Sequence, residues 1–218
     1  MAAPGRAPRT DTSKTNSDWK ELERKHALLR EPHVAPLNAY AERLRDAGHR
    51  EVPYFDPTEA GVNARILLLF KSPGRWSTGR HGSNFISPDN DDYAADKMWH
   101  FLRDARVDRA REVVSWNIVP WYVGDAQAND EVSDHDIREG RPALRELLDL
   151  LRPNPRVVVV FGRKAQTGWI ESGFHNRLEW LPAPMPDPRS FGRWPEKKKE
   201  LRDALVTARR IAGYTQTG

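Results

Sequence analysis

Three short, nearly unbroken apolar runs dominate the pattern of the chain: Arg65-Ile-Leu-Leu-Leu-Phe70, Glu112-Val-Val-Ser-Trp-Asn-Ile-Val119 and Arg156-Val-Val-Val-Val-Phe161. Runs of this length without polar alternation predict strands buried on both faces, as in a parallel sheet. A weaker run at about 177–181 predicts a fourth strand, followed by a Pro-rich loop over 182–195. Between the runs the spacing becomes helical. Leu144, Leu147, Leu148 and Leu151 recur at i, i+3, i+4 and i+7, which predicts a helix over 142–152 with Pro142 in its first turn. Further helices are predicted from a Ser17 or Asp18 cap to about residue 30, over 37–47 with Gly48 as its stop, over 93–102, and from 196 to about 212. The last places Leu201, Leu205, Ala208 and Ile211 on one face and its lysines on the other. This alternation argues an α/β fold, a three-layer α/β/α sandwich with a mainly parallel central sheet. Ligands of such sheets bind outside the carboxyl ends of the strands, so function is sought just after Phe70, Ile118, Phe161 and Leu181.

Composition narrows the chemistry. The 218 residues suit one domain, read as 18–218, preceded by a disordered tail over 1–17 that is rich in Ala, Pro, Gly, Arg, Ser and Thr. The absence of cysteine removes disulfides, a Cys nucleophile, Cys-ligated zinc and iron–sulfur clusters. No stretch approaches the roughly 20 apolar residues of a membrane span, and residues 1–16 lack the apolar core of a secretory signal, so a cytoplasmic location without membrane contact is expected. Net charge is +4, but residues 185–218 carry eight basic side chains against four acidic ones. That excess reads either as polyanion contact or as a solvated helix face. No coiled-coil or swapped segment suggests an obligatory protein partner, and a monomer is expected.

Each strand end carries a distinctive segment. After Phe70 comes a loop with Pro73, Gly74, Gly79 and Gly82, the cations Lys71, Arg75 and Arg80, and the aromatics Trp76 and Phe85. Interleaved aromatic and basic groups suit a flipped base and its phosphates, or form an ordinary solvated loop. Asn117, at the end of the second strand, offers the acceptor and donors that read a base edge, or satisfies a turn. Gly162-Arg-Lys-Ala165, with Lys164, is a tight strand-to-helix turn suited to an anion. It lacks the glycine pattern of a P-loop or dinucleotide fingerprint, so no cofactor and no metal are expected. Pro184-Met-Pro-Asp-Pro-Arg-Ser-Phe-Gly-Arg193 is a stiff loop carrying Arg189 and Arg193.

Taken in order, these four segments resemble the uracil-DNA glycosylase superfamily over roughly residues 65–211. Lys71-Ser-Pro-Gly74 resembles the family's water-holding turn, and Gly82-Ser-Asn-Phe-Ile-Ser-Pro-Asp-Asn90 its base-stacking segment, which implies stacking by Phe85. Trp116-Asn-Ile-Val-Pro120 is similar to the strand end whose Asn reads the base, which implies that role for Asn117. Residues 184–190 are similar to the loop that wedges the duplex. The resemblance implies a glycosylase that acts on flipped bases in DNA. It puts Lys71 and Met185 beside the base, and Gly74, Arg75, Arg80, Lys164, Asp187, Arg189, Ser190 and Arg193 against the DNA.

The departures are equally specific. Ser72 stands where the best known members have Asp or Asn, Lys71 where the iron–sulfur members have Glu, Met185 where the loop has His, and Asp187 where it has Ser. A serine hydroxyl orients water but scarcely ionises, so the charge beside the oxocarbenium-like sugar falls to the Asp89-Asn-Asp-Asp92 cluster. Ser72, Asp89, Asn90 and Asp91 are therefore the candidate catalytic residues, although the same cluster suits a helix N-cap. Loss of the His points to a different base or to lost catalysis. The resulting expectation is a monofunctional glycosylase for a modified pyrimidine, such as the glucosylated hydroxymethylcytosine of phage DNA, acting in defence. The alternatives are a non-catalytic DNA-binding member, a conventional uracil repair enzyme and a hydrolase of free nucleosides.

Overall fold

The computed structural model describes residues 12–48, 51–79, 82–124 and 131–213, with the backbone alone at 189–190. In chain order the elements are α1 (Trp19–Ala27), α2 (Ala35–Asp46), β1 (Tyr54–Phe55), β2 (Ile66–Phe70), β3 (Phe85–Ile86), α3 (Tyr93–Asp104), α4 (Arg109–Glu112) and β4 (Val113–Asn117). Then follow α5 (Asp134–Leu150), β5 (Val157–Phe161), α6 (Arg163–Glu171), β6 (Glu179–Ala183), α7 (Pro188–Arg193) and α8 (Glu196–Ile211). The main sheet is parallel throughout, in the order β4-β2-β5-β6. A small parallel pair, β1 with β3, stands apart from it.

Strand alternation divides the core into two layers. Leu67, Leu69, Val114, Trp116, Val158 and Val160 face one way and pack with Leu37, Leu144, Leu147 and Trp169 of α2, α5 and α6. Ile66, Leu68, Val113, Val157, Val159 and Phe161 face the other way, against Met98, Leu102, Leu201 and Leu205 of α3 and α8. Helices on both faces of a parallel sheet make the three-layer sandwich expected from the apolar runs. The chain leaves central β2 for β4 on one side and then crosses to β5 on the other. The switch point of the topology therefore lies at the carboxyl end of β2, where such sheets open a crevice.

Three local expectations need correction. The tail does not extend to residue 17: Asn16 is buried, with its amide bonded to Asn90 Oδ1 at 2.7 Å, and Ser13 Oγ reaches Asp96 Oδ1 at 2.9 Å. These polar side chains are held by a distant loop and by α3, which a local composition rule does not register. Helix α5 starts eight residues before the expected position, at a capping box of Ser133 and Asp136, and runs through Pro142. The Pro-rich segment supplies the end of β6, whose outer edge tolerates Pro182, and then the short helix α7.

Gly140 fixes how α5 meets the strand that carries Asn117. A Cβ at this position would stand 2.6 Å from the Ile118 carbonyl oxygen. Gly140→Ala is expected to destabilise the protein by about 1–3 kcal/mol, because the helix is forced off a backbone atom that cannot rotate away. Chemical denaturation checks this, and an unchanged midpoint would remove α5 as a support of the strand end.

Candidate active site

Segments from all the predicted strand ends converge on one cavity of about 700 Å³. Its apolar floor is the stacked pair Phe70 and Phe161, 4.7 Å apart and nearly parallel, with Met98, Ile86 and Met185 around it. Its polar wall includes Ser115 and Asn117, which lie two residues apart on the same face of β4. Two hydrogen bonds continue the ladder beyond the strand and pin this end: Ile118 N donates to Phe70 O at 2.8 Å and Val119 N to Lys71 O at 3.0 Å. Opposite, Gly162 adopts a φ of +82°, which favours glycine, to turn β5 into α6. Gln166 then bonds the carbonyls of Val160 and Ala183, tying the ends of β5 and β6 together.

Asn117 is the most informative group. It is only 2% exposed, and its Nδ2 has no hydrogen-bond partner among the described residues. A buried donor left unmet costs about 1–3 kcal/mol, and this one lies in the cavity wall, where an acceptor on a ligand could meet it. Lys71, Arg75, Arg163 and Lys164 line the cavity against Asp92 and Asp187, giving it a basic cast. Lys164 is held to Asp134 at 2.9 Å, and Trp76, 42% exposed, stands among the residues that line the opening.

Of the residues singled out in the sequence, the cavity gathers Lys71, Ser72, Gly74, Arg75, Asn90, Asn117, Lys164, Met185 and Asp187. Others lie elsewhere. Phe85 is fully buried outside the cavity, against His26 at 4.9 Å and Tyr54 at 6.3 Å. Strand geometry explains the correction: β3 sends consecutive side chains to opposite faces, and it is Ile86 that lines the cavity. Asp89 is turned away into an ion network with Lys25 and Arg109, at 2.8 Å from each. Asp91 faces solvent in an ion pair with Lys14 at 2.8 Å. Arg193 is exposed and lies over the Trp194 ring. Arg80 lies outside the described residues, as do the side chains of Arg189 and Ser190.

Asn90 touches the cavity but has no bonding capacity to spare. Its Oδ1 accepts from Asn16 and Ser83, and its Nδ2 donates to Ser77 Oγ and the Phe85 carbonyl. A side-chain amide has two donors and an acceptor with two lone pairs, so Asn90 holds the loop instead of a water. The carboxylate of the cluster that does reach the cavity is Asp92, the one not among the candidate catalytic residues. Burial pushes its carboxyl above the ordinary range, while its bond from Ala95 N at 2.9 Å caps α3.

Two further groups belong to the site without any motif that marks them in the sequence. Ser115 lies inside an apolar run. Glu59 sat in a polar loop, yet it is 2% exposed and clasps Ser115: Ser115 N lies 2.7 Å from Oε2 and Ser115 Oγ 2.8 Å from Oε1. Since β4 is an edge strand of the sheet, Glu59 supplies the bond that a further strand would have made.

No helix among the described residues is long and apolar enough to cross a membrane. No protein of curated function matches the chain. A family model described as the uracil DNA glycosylase superfamily matches residues 57–208, which span all four strand ends and the cavity they form. The chain therefore belongs to the uracil-DNA glycosylase superfamily, a family of hydrolases that act on DNA.

Proposed function

We propose that the protein is a monofunctional DNA glycosylase that flips a modified pyrimidine into the cavity and hydrolyses its N-glycosyl bond, leaving an abasic site. The observation that carries this reading is the buried, unpartnered Asn117 amide in the wall of a cavity at the topological switch point. The base would lie over the apolar floor with an acceptor on Asn117. The Ser72 hydroxyl would orient the attacking water, with Asp92 as the nearest carboxylate of the cluster. An oxocarbenium-like sugar is stabilised by such preplaced negative charge. Arg75, Arg193 and the lysines of α8 would meet phosphates.

A volume of about 700 Å³ leaves room beyond a lone pyrimidine ring, within the range of pockets that enclose a whole small ligand. That room, together with flexible Met185 in the wall, supports a bulky base such as glucosylated hydroxymethylcytosine, and hence a role in defence against phage in the cytoplasm. A second reading has one observation in its favour: Asp89 and Asn90 are consumed by structural bonds, as expected of a member that binds DNA without cleaving it.

Abasic-site formation separates the readings. Oligonucleotides carrying uracil, hypoxanthine, hydroxymethylcytosine or glucosylated hydroxymethylcytosine are incubated with the protein and then cleaved with alkali. Release of the glucosylated base is the expected result. Release of uracil alone would identify a conventional repair enzyme, and binding without release of any base would identify the non-catalytic member.

A further inference from the structure

The carboxyl of Glu59 lies behind the β4 wall of the cavity, with Ser115 between it and the space where the base would sit. Its two oxygens meet two different groups, the Ser115 backbone N–H and the Ser115 hydroxyl. The protonation state of Glu59 therefore decides what Ser115 shows the cavity. A neutral carboxyl accepts from the N–H with its carbonyl oxygen and donates its own proton to Oγ, leaving the serine hydroxyl proton directed to a ligand. An ionised carboxylate takes that hydroxyl proton for itself, and only lone pairs remain.

We propose that Ser115 is a second base-contacting residue, one pleat below Asn117. Glu59, acting through it, is the positioning residue that turns the serine proton toward the base and replaces it as the base departs. This rests on the glycosylase reading given above. As the C1′–N1 bond breaks, its electron pair moves onto the base. The Ser115 Oγ–H proton passes to a base oxygen or nitrogen while the Glu59 proton passes to Oγ. Water adds its hydroxyl to C1′ and releases its other proton, and solvent reprotonates Glu59. A cytosine-type base, a poor leaving group as an anion, gains most from such a donor.

The surroundings favour the neutral carboxyl. Burial pushes Glu59 up to about 8. Arg109 of α4 opposes the rise, Asp56 of the same loop adds to it, and the two bonds from Ser115 oppose it. Behind Glu59 a second cleft of about 750 Å³, shared with Arg24, His33 and Asp89, gives solvent a way to return the proton.

Two readouts test the proposal. The first is single-turnover release of uracil and of glucosylated hydroxymethylcytosine between about pH 6 and about pH 9. The wild type is expected to lose rate as the pH passes about 8, while Glu59→Gln is about a hundredfold slower and shows no such bend. Ser115→Ala and the double variant are expected to match that loss, because the two residues act as a unit. The second readout is binding of free uracil, which needs no turnover. The wild type is expected to bind about tenfold more weakly above the bend, whereas Glu59→Gln, whose amide also donates to Oγ, holds its affinity across the range. A bend that persists in Glu59→Gln, in either readout, overturns the proposal. A wild type that releases neither base overturns the glycosylase reading instead, and binding of free uracil then judges Ser115 and Glu59 alone.

Discussion

Asn117→Ala is expected to lower base release by about 10²–10³-fold while DNA affinity and its dependence on salt stay near the wild-type values. The reason is positional. Asn117 sits at the end of β4, 2% exposed, pinned by the bonds of Ile118 and Val119 to the end of β2, with its Nδ2 unmet among the described residues. No described residue bonds that donor, so its removal takes away no hydrogen bond seen among them and leaves the ladder bonds of the strand in place. In the proposed function phosphates would be met by other groups, among them Arg75 at the cavity and the exposed lysines of α8. Single-turnover cleavage and a salt titration of binding, made on the same preparations, separate the two quantities. Parallel loss of both would mean that Asn117 supports the shape of the site and does not read a base.

The parts of the molecule that were legible in the sequence are those whose cause is local. Ile66–Phe70, Val113–Asn117 and Val157–Phe161 are strands because an apolar run bounded by charge or proline has one way to be buried, and the ends of those runs located the cavity. Asn117 followed from its place at such an end. Phe85 did not, because its direction depends on a two-residue strand pairing with Tyr54–Phe55, a long-range contact without a periodic signature. Asp89, Asn90 and Asp92 are close in sequence, and composition does not distinguish them. Three different partners separate them: an ion network, a ring of amides and hydroxyls, and a helix end. Lys25 did leave a trace. It stands where an apolar residue belongs on the stripe of Leu22 and Leu29, which marks a buried cation before its partners are known.

Lys25→Met is expected to cost about 3–5 kcal/mol at neutral pH, a large part of the roughly 5–15 kcal/mol that holds a domain together. Lys25 Nζ, fully buried, lies 2.8 Å from Asp56 Oδ2 and 2.8 Å from Asp89 Oδ2, and Arg109 approaches Asp89 from the other side at 2.8 Å. Two cations thus meet two carboxylates without net charge. Burial by itself would raise both carboxyls. For Asp56 chiefly Lys25, and for Asp89 chiefly Arg109 and then Lys25, overcome that effect and hold each below its ordinary value. Methionine keeps the length of the lysine stem but leaves one negative charge uncompensated in the interior. A carboxyl whose folded value is depressed stabilises the protein above its unfolded value and loses that contribution as pH falls through the folded one. In the variant the depression is relieved, so one carboxyl can protonate at higher pH, and its deficit should shrink as the pH is lowered from about 7 to about 4. Asp56→Asn added to Lys25→Met should recover more than half of the loss, since the pair is then neutral and the asparagine oxygen still accepts from Thr58. Denaturant midpoints for the two single variants and the double variant measure this directly, and a loss under about 1 kcal/mol in Lys25→Met would show that the network is solvated. The consequence reaches the cavity. Asp56 also receives the hydroxyl of Ser87, which lines it, and Asp89 precedes the helix that brings Asp92 and Met98 to its wall. Release of α1 from these carboxylates should therefore slow base release at temperatures where the sheet is still folded.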